Sequence, residues 1–420
     1  MEITRREPFG SSPTVGSRGS STYRRILEAS LEVFAKHGYD GAQVELITEA
    51  AGCSRPAFYQ YFSSKSDVYW RLAGELSDAM IRLSKQMGAS TPNAAGVEQL
   101  VQWFEGIFEI YDSYQPMFSA YSIAAREGSE RIAASRIVSM RIGKRLVPNL
   151  KDVSEPVQRE IEQLILPIVL SGVYYWELIY PDLPRERYME SAAMTLHRLQ
   201  HGAITGVNAP ELVGLAPATS KPMPDFEAQI FGPGVSARGR ETRKLLLTAG
   251  AQTLAAKGYH DTRIDDVVAE AGVSHGTFYR HFESKERFFD ALTVMAMGSV
   301  VELIERVPSE MDDTTLHAWV HEWLLNYLRN GGVLSAWSEI ESPGPNRTRY
   351  GSTVAVGMLE RLQRILDQRG FGDTRADALL MLGAFERGPY MAGHYGGSAP
   401  EITVGALLLF LKRGLLGREI

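Results

Sequence analysis

GYHDTRIDDVVAEAGVSHGTFYRHFESKERFF, residues 258–289, and GYDGAQVELITEAAGCSRPAFYQYFSSKSDVY, residues 38–69, are two writings of one pattern. The offset is 220 positions without a gap, and upstream it extends so that Arg24–Tyr69 faces Lys244–Phe289. In this register Ala29, Ala35, Gly38, Tyr39, Ala51, Gly52, Ser54, Phe58, Tyr59, Phe62, Ser64 and Lys65 each meet the same residue type. Apolar positions follow suit: Ile26 faces Leu246, Val44 faces Ile264, Ile47 faces Val267 and Cys53 faces Val273. A repeat of this kind precedes every other reading, because it fixes how many structural units the chain holds.

The second copy reads as three helices. Lys244–Lys257 carries Leu246, Leu247, Gly250 and Leu254 at three- and four-residue spacing, and Gly258 supplies the stop. Ile264–Ala271 is a short helix with Ile264, Val267, Val268 and Ala271 inward. Gly272 makes a turn, Val273 plugs the core, and Ser274 is placed to cap a third helix, His275–His281. That helix buries Phe278 and presents His275, Thr277, Tyr279, Arg280 and His281 outward, with Phe282 buried just beyond it. A helix, a glycine turn and a capped short polar helix make a helix-turn-helix, whose last helix enters the DNA major groove.

The string AGVSHGTFYRHFESKE, with the residues before it, resembles the DNA-binding domain of the tetracycline-repressor (TetR) family of transcriptional regulators. The resemblance implies an all-α fold: three N-terminal helices that bind DNA, then a helical bundle that binds a small ligand and dimerises. By position it implies phosphate contacts from Thr262, Tyr279, His281 and Lys285. It places His275, Gly276, Thr277 and Arg280 at or near base edges. Arg263 and Ser274 complete that candidate surface. The first copy departs from the pattern twice. Ala42-Gln43 stands where the family has a threonine, which implies one phosphate contact fewer, and Pro56 stands where it has a small residue. Proline is tolerated in a first helical turn, and it leaves only the Ala57 amide for the Ser54 cap. Arg55, Gln60 and Tyr61 read as outward-facing readers, Tyr59 and Lys65 as phosphate contacts, and Gln43, Ser54 and Ala57 join the candidate set.

Size and composition agree with two tandem TetR-like halves. The chain has 420 residues, 44% hydrophobic and 22% charged, beyond the span of one ordinary core. The expected organisation is a flexible arm (1–19), a first head (20–75), a first bundle (76–206), a linker (207–236), a second head (237–296) and a second bundle (297–420). The linker is assigned on its Pro, Gly and Ala content and its lack of helical periodicity. Fainter matches, Trp103 with Trp319 and Tyr111 with Tyr327, carry the duplication into the bundles. A net charge of −6 is awkward for a DNA binder. Local basic segments, Arg18, Arg24 and Arg25 before the first pattern and Arg238, Arg240, Arg243 and Lys244 before the second, read as arms toward the phosphates.

The first bundle is rich in aromatic residues, and Trp103, Tyr111, Phe118, Tyr121, Tyr174 and Trp176 are the candidates for a ligand pocket. At helical spacing such rings also serve simply as core. The pocket reading implies an apolar or aromatic effector. His317 and His321 with Glu322 lack the order and the third ligand of a zinc site, so no metal is expected. GPYMAGHYGG, 388–397, reads as an interhelix loop. No phosphate-cradling loop, nucleophile elbow or carboxylate pair stands out, and neither an enzyme nor a cofactor is expected. The single Cys53 allows no intrachain disulfide, and no signal peptide or membrane helix is read, so a cytoplasmic location is expected. The expected partners are double-stranded operator DNA and a small-molecule effector. The two halves would pair as an intramolecular pseudo-dimer, with further self-association left open. The alternative is a small-molecule carrier or enzyme retaining degenerate helix-turn-helix modules.

Overall fold

The computed structural model describes residues 17–87, 90–125, 129–202, 225–232, 234–308, 312–340, 347–394 and 398–418. Every regular element among them is a helix. The first head is α1 (Ser17–Gly41), α2 (Val44–Ala50), α3 (Arg55–Tyr61) and α4 (Lys65–Gln86), followed by α5 (Ala94–Ala125), α6 (Ser129–Leu146), α7 (Glu155–Ile179) and α8 (Arg185–His201). A short α9 (Phe226–Phe231) precedes the second head: α10 (Ala237–Asp261), α11 (Ile264–Glu270), α12 (His275–His281) and α13 (Lys285–Glu305). Then come α14 (Asp313–Ile340), α15 (Arg347–Asp367), α16 (Thr374–His394) and α17 (Pro400–Leu409), which runs on into π-helical turns over Phe410–Leu415.

The repeat is reproduced in backbone detail. Gly38 and Gly258 break α1 and α10 at φ 68° and 73°. A side chain is strained in that region, so glycine sets where each first helix turns. The recognition helices α3 and α12 are seven residues each, capped by Ser54 and Ser274. Phe58 and Phe278 are both 0% exposed at the centre of their heads. Burying such a ring contributes roughly 1.5–3 kcal/mol, so these two short helices are held by their cores rather than by their own propensity.

Packing divides the chain into two compact units, Met1–Gly88 with Gln102–Ile142, and Ala89–Val101 with Gly143–Ile420. In the first unit the Tyr69 hydroxyl donates to the Met117 carbonyl at 3.0 Å, tying the first head to α5. In the second unit the second head buries Ile230 and Phe231 of α9 in its own core. Part of the stretch read as linker is therefore a helix that closes over the head. Its N-terminus is capped by Asp225, which accepts from the Ala228 amide at 2.9 Å.

The same unit joins late helices of both halves. α7 packs along α16, and a Cβ on Gly383 would lie 2.6 Å from the Ile168 carbonyl. Only a residue without a side chain allows that approach. Polar contacts join α7 and its C-terminal end to three helices of the second half: Ser171 donates to Glu386 of α16 at 2.9 Å, Thr403 of α17 to Glu160 at 2.9 Å, and Gln363 of α15 to the Tyr180 hydroxyl at 3.0 Å. Ser191 bonds Asp377, which is also paired with Arg369.

Two expectations are corrected here. GPYMAGHYGG is not a loop over the described part: α16 continues through Pro389 to His394. The basic segment before the second pattern, read as an arm leading into a helix at Lys244, is itself part of that helix. Ser236 accepts from the Gly239 amide at 3.2 Å and starts α10 there, so Arg238, Arg240, Arg243 and Lys244 are helical. Some of this charge is already engaged. Arg240 pairs with Glu227 and Arg24 with Glu75, both at 2.9 Å, and Arg243 lies 4.3 Å above the Phe282 ring.

Candidate nucleic-acid interface

The recognition helices carry the candidate readers on their outer faces. Tyr59 and Tyr279 are 51% and 54% exposed although each ring touches the buried Phe beside it. Large aromatic side chains seldom stand that far into water, and a phenol there suits phosphate better than core. Arg55, Gln60, His275, Gly276 and Arg280 are exposed, and Ala57 and Thr277 are half-buried beside the caps. A Cβ on Gly276 would meet only the Ser274 hydroxyl at 3.9 Å, so nothing inside the fold requires glycine there.

Ser54 accepts from the Ala57 amide at 3.3 Å, and Ser274 accepts from the Thr277 amide at 3.2 Å. Both caps thus use the third helical amide and no other. Pro56 removes nothing that the Gly276 copy uses, so the expected loss at the first cap does not occur.

Thr262 is 5% exposed, and its hydroxyl donates to the Gly258 carbonyl at 2.6 Å. Its counterpart Ala42 is equally buried. The threonine side chain folds back onto the end of the first helix, so the missing hydroxyl at Ala42 removes a capping bond rather than an exposed phosphate ligand. The neighbouring pair differs on the surface instead: Gln43 and Arg263 are both exposed at the start of their helices. The Arg263 amide donates to Asp266 at 3.0 Å, and Lys257 holds the same carboxylate at 2.7 Å. Hydrogen bonding from Lys257 and then from the Arg263 amide holds the Asp266 carboxyl below its usual range.

Lys65 and Lys285 are half-buried. Lys65 Nζ donates to the Tyr39 carbonyl and Lys285 Nζ to the Tyr259 carbonyl, each at 2.7 Å, and each ammonium lies over that tyrosine's ring at 4.6 and 4.5 Å. Burial lowers the Lys285 ammonium from its ordinary value. Each lysine therefore fastens its last helix to the end of the first. The remaining donors stay available to a phosphate. Tyr61 and His281 are half-buried, not fully outward; Tyr61 lies 6.3 Å from Tyr23, ring to ring. Burial, and then Arg243 and Arg280, lower the His281 imidazole from its ordinary value.

One feature of the surface escapes a sequence reading. Arg55 pairs with Glu45 at 2.7 Å, and His275 Nε2 meets Asp265 Oδ1 at 2.6 Å. These four are the same two positions under the 220 offset: the first residue of each recognition helix and the second of the helix before it. Glu45 and Asp265 look like ordinary acids in a first helical turn. Their recurrence at one offset is the signal that could have found them.

The bundle candidates are distributed over both compact units. Trp103 and Tyr111 are buried, and the Phe118 ring lies tilted 4.8 Å from that of Tyr111. The Trp103 indole nitrogen is buried without a hydrogen-bond partner among the described residues. The Tyr121 side chain lies outside the described residues. In the other unit Tyr174 meets Tyr175 at 5.4 Å, and Trp176 donates to the Leu183 carbonyl at 2.8 Å. His317 is exposed, and Glu322 is engaged by Arg306 at 3.0 Å. Among the described residues no group of three or more His, Cys, Asp and Glu is placed to hold a metal, and no helix is long and apolar enough to cross a membrane.

The sequence profile described as "Bacterial regulatory proteins, tetR family" matches residues 26–71 and 246–292, one match on each copy. The chain carries two tetR-family domains in tandem. Among curated relatives, the transcriptional repressor AcnR of Corynebacterium glutamicum is 34% identical over 77 residues, 18% of this chain and 41% of that protein. The transcriptional activator FasR of Mycolicibacterium smegmatis is 31% identical over 86 residues, 20% of this chain and 39% of that protein. The chain thus spans about two fifths of the relatives it matches. A solved TetR/AcrR-family regulator from Aquifex aeolicus aligns at 19% identity over 40% of this chain and 95% of that one, with a TM-score of 0.32.

Proposed function

We propose that the chain is a sequence-specific DNA-binding transcriptional regulator, a repressor released by a small apolar or aromatic effector. Both reading heads belong to one chain and act as a pseudo-dimer on double-stranded operator DNA. The observation that carries this reading is the duplicated recognition helix, with capping, core and exposed tyrosine repeated at one offset. The packing of α7 along α16 supports the pairing of halves within the chain, since these are late helices of the first and second half. Regulators of this kind present two recognition helices to half-sites roughly 34 Å apart. An effector preferring a bundle shape that spoils that spacing lowers DNA affinity by its differential affinity for the two states.

The heads differ at nearly every reading position: Arg55 against His275, Ala57 against Thr277, Gln60 against Arg280, Tyr61 against His281. A pseudo-dimer of such heads reads an asymmetric site. The test is selection of bound duplexes from a random pool, followed by protein-to-DNA stoichiometry on the shortest sufficient duplex. One chain per asymmetric site is expected. A requirement for two chains on a perfect palindrome, with one head dispensable, would overturn the pseudo-dimer. No enrichment of any duplex would overturn the regulator.

A further inference from the structure

Helix α9 belongs to the stretch between the halves, yet it is built into the second head. Ile230 and Phe231 are each 8% exposed and sit in that head's core. At the other end of α9, Phe226 rests on α13 at Gly298. A Cβ on Gly298 would lie 3.2 Å from that of Phe226, tighter than ordinary van der Waals contact. The first head has the exposed Asp78 at the matching position. A charged side chain offers no seat to a phenyl ring, so this seat is written into the second head and not into the first.

What α9 keeps outside the core is acidic. DFEAQIFG, residues 225–232, holds Asp225 and Glu227 and no basic residue. Glu227 bonds Arg240 of α10 at 2.9 Å. The Phe231 ring lies 5.4 Å from the Arg240 guanidinium and 5.9 Å from the Lys244 ammonium, within reach of cation–π attraction. Arg240 and Lys244 are four residues apart on one face of α10, so one short helix engages both. This end of α10 borders the recognition helix. A Cβ on Gly239 would lie 3.9 Å from His281 Cε1, and Arg243 lies 4.3 Å above the Phe282 ring. Charge at that border acts on phosphates docked against α12, since screening takes about 10 Å at 0.1 M salt. An accessible ion pair adds little to folding stability, and Ile230 and Phe231 already anchor α9. The effect of Glu227 is therefore on the field that the head presents outward.

We propose that α9 is an autoinhibitory charge shield on the second head. Glu227 neutralises Arg240, Phe231 holds Arg240 and Lys244 against the fold, and the head grips the phosphate backbone less strongly than its basic residues would allow. Phosphate neutralisation supplies most non-specific affinity for a duplex and carries no sequence information. A shield on that contribution lowers binding to unselected DNA and leaves discrimination to the side chains of α12. The proposal rests on the DNA-binding reading given above and adds to it a brake confined to one head.

The test is fluorescence anisotropy of the full chain on a random-sequence duplex across a salt series. Glu227→Gln is expected to tighten binding several-fold at about 0.1 M salt and to steepen the fall of affinity with salt by about one phosphate. Arg240→Gln alone should change little, because its charge is already neutralised. The double variant should return to the parent's affinity and slope, so that the two substitutions are coupled. A general effect of net charge would instead be additive, with Arg240→Gln weakening binding as much as Glu227→Gln strengthens it. Additive behaviour, or an unchanged slope in Glu227→Gln, overturns the shield. Neither side chain is buried, so both variants keep the fold. If none of the four forms binds any duplex at low salt, the regulator reading falls and the shield with it. If they bind without the coupling, only the shield falls.

Discussion

The two heads are one backbone with two vocabularies. Where the chain must turn, cap or pack, they agree: Gly38 with Gly258, Ser54 with Ser274, Phe58 with Phe278, Lys65 with Lys285. Even the lysine that fastens the last helix makes the same 2.7 Å bond to the same tyrosine carbonyl. Where side chains leave the fold they diverge, as in Arg55 against His275 and Gln60 against Arg280. On the function proposed above, a duplicated core that keeps its frame while its outer positions differ reads two half-sites of different sequence. It also separates residues that make the frame from residues that use it, and each can be tested against its counterpart.

The largest expected effect is at Arg280, exposed on the outer face of α12, where the first head has the neutral Gln60. Arg280→Ala should cost about 1–3 kcal/mol on the preferred site if the guanidinium bonds a base edge at two points. The cost should be confined to one half-site and one or two base pairs. Affinities on a panel of single-base variants will show it. Uniform weakening across the panel would make Arg280 a phosphate contact and narrow the difference between the heads. Gln60→Ala should move preference in the other half-site only.

That division explains what the sequence could and could not reveal. The helix-turn-helix is legible because its determinants are local: a glycine forced to positive φ, a serine one residue before a helix, a phenylalanine at the core period. Helix α12 lies at His275–His281 as the pattern predicts. The α16 extension through Pro389 was hidden, because a proline and several glycines read locally as a loop while packing against α17 overrides them. The inward turn of Thr262 was hidden too, since one hydroxyl can either cap the preceding helix or face solvent, and only the position of the Gly258 carbonyl decides. The pairing of Arg55 with Glu45 and of His275 with Asp265 depends on how two short helices cross, which no single-sequence spacing states.

A smaller effect should separate the heads by pH. His281 lies where the first head has Tyr61, and its imidazole is lowered by burial, Arg243 and Arg280. The unfolded chain binds that proton at a higher pH than the folded one. The contribution to folding stability is therefore present above the ordinary histidine range and is lost as pH falls through it. Phosphate acts in the opposite sense, since bound DNA favours the imidazolium. Affinity for the selected duplex should tighten a few-fold between about pH 7.5 and 6, within the ordinary histidine range. His281→Tyr, which installs the first head's residue, should flatten that slope in titrations at fixed salt. An unchanged slope would place the titrating group elsewhere on the interface.

The smallest effect is expected where the heads differ most conspicuously to the eye, at Pro56 against Gly276. The caps beside them use the third helical amide in both heads, so exchanging the two residues adds and removes no hydrogen bond. What remains is the unfolded state. Proline restricts the free chain and glycine loosens it, so Pro56→Gly should lower the stability of the first head by about 0.4–1 kcal/mol. Gly276→Pro should stabilise the second head by a similar amount, because a Cβ there meets nothing closer than 3.9 Å. Thermal unfolding of the two variants measures this directly. DNA supplies the contrast, since a position that the fold leaves open is one that a phosphate can approach. If Gly276→Pro stabilises the protein and yet abolishes selection of the second half-site, glycine is required there by the duplex alone. The first head, with Pro56, must then hold its half-site at a different angle. If both variants keep full affinity, the two recognition helices dock alike, and the heads differ only in the side chains they present.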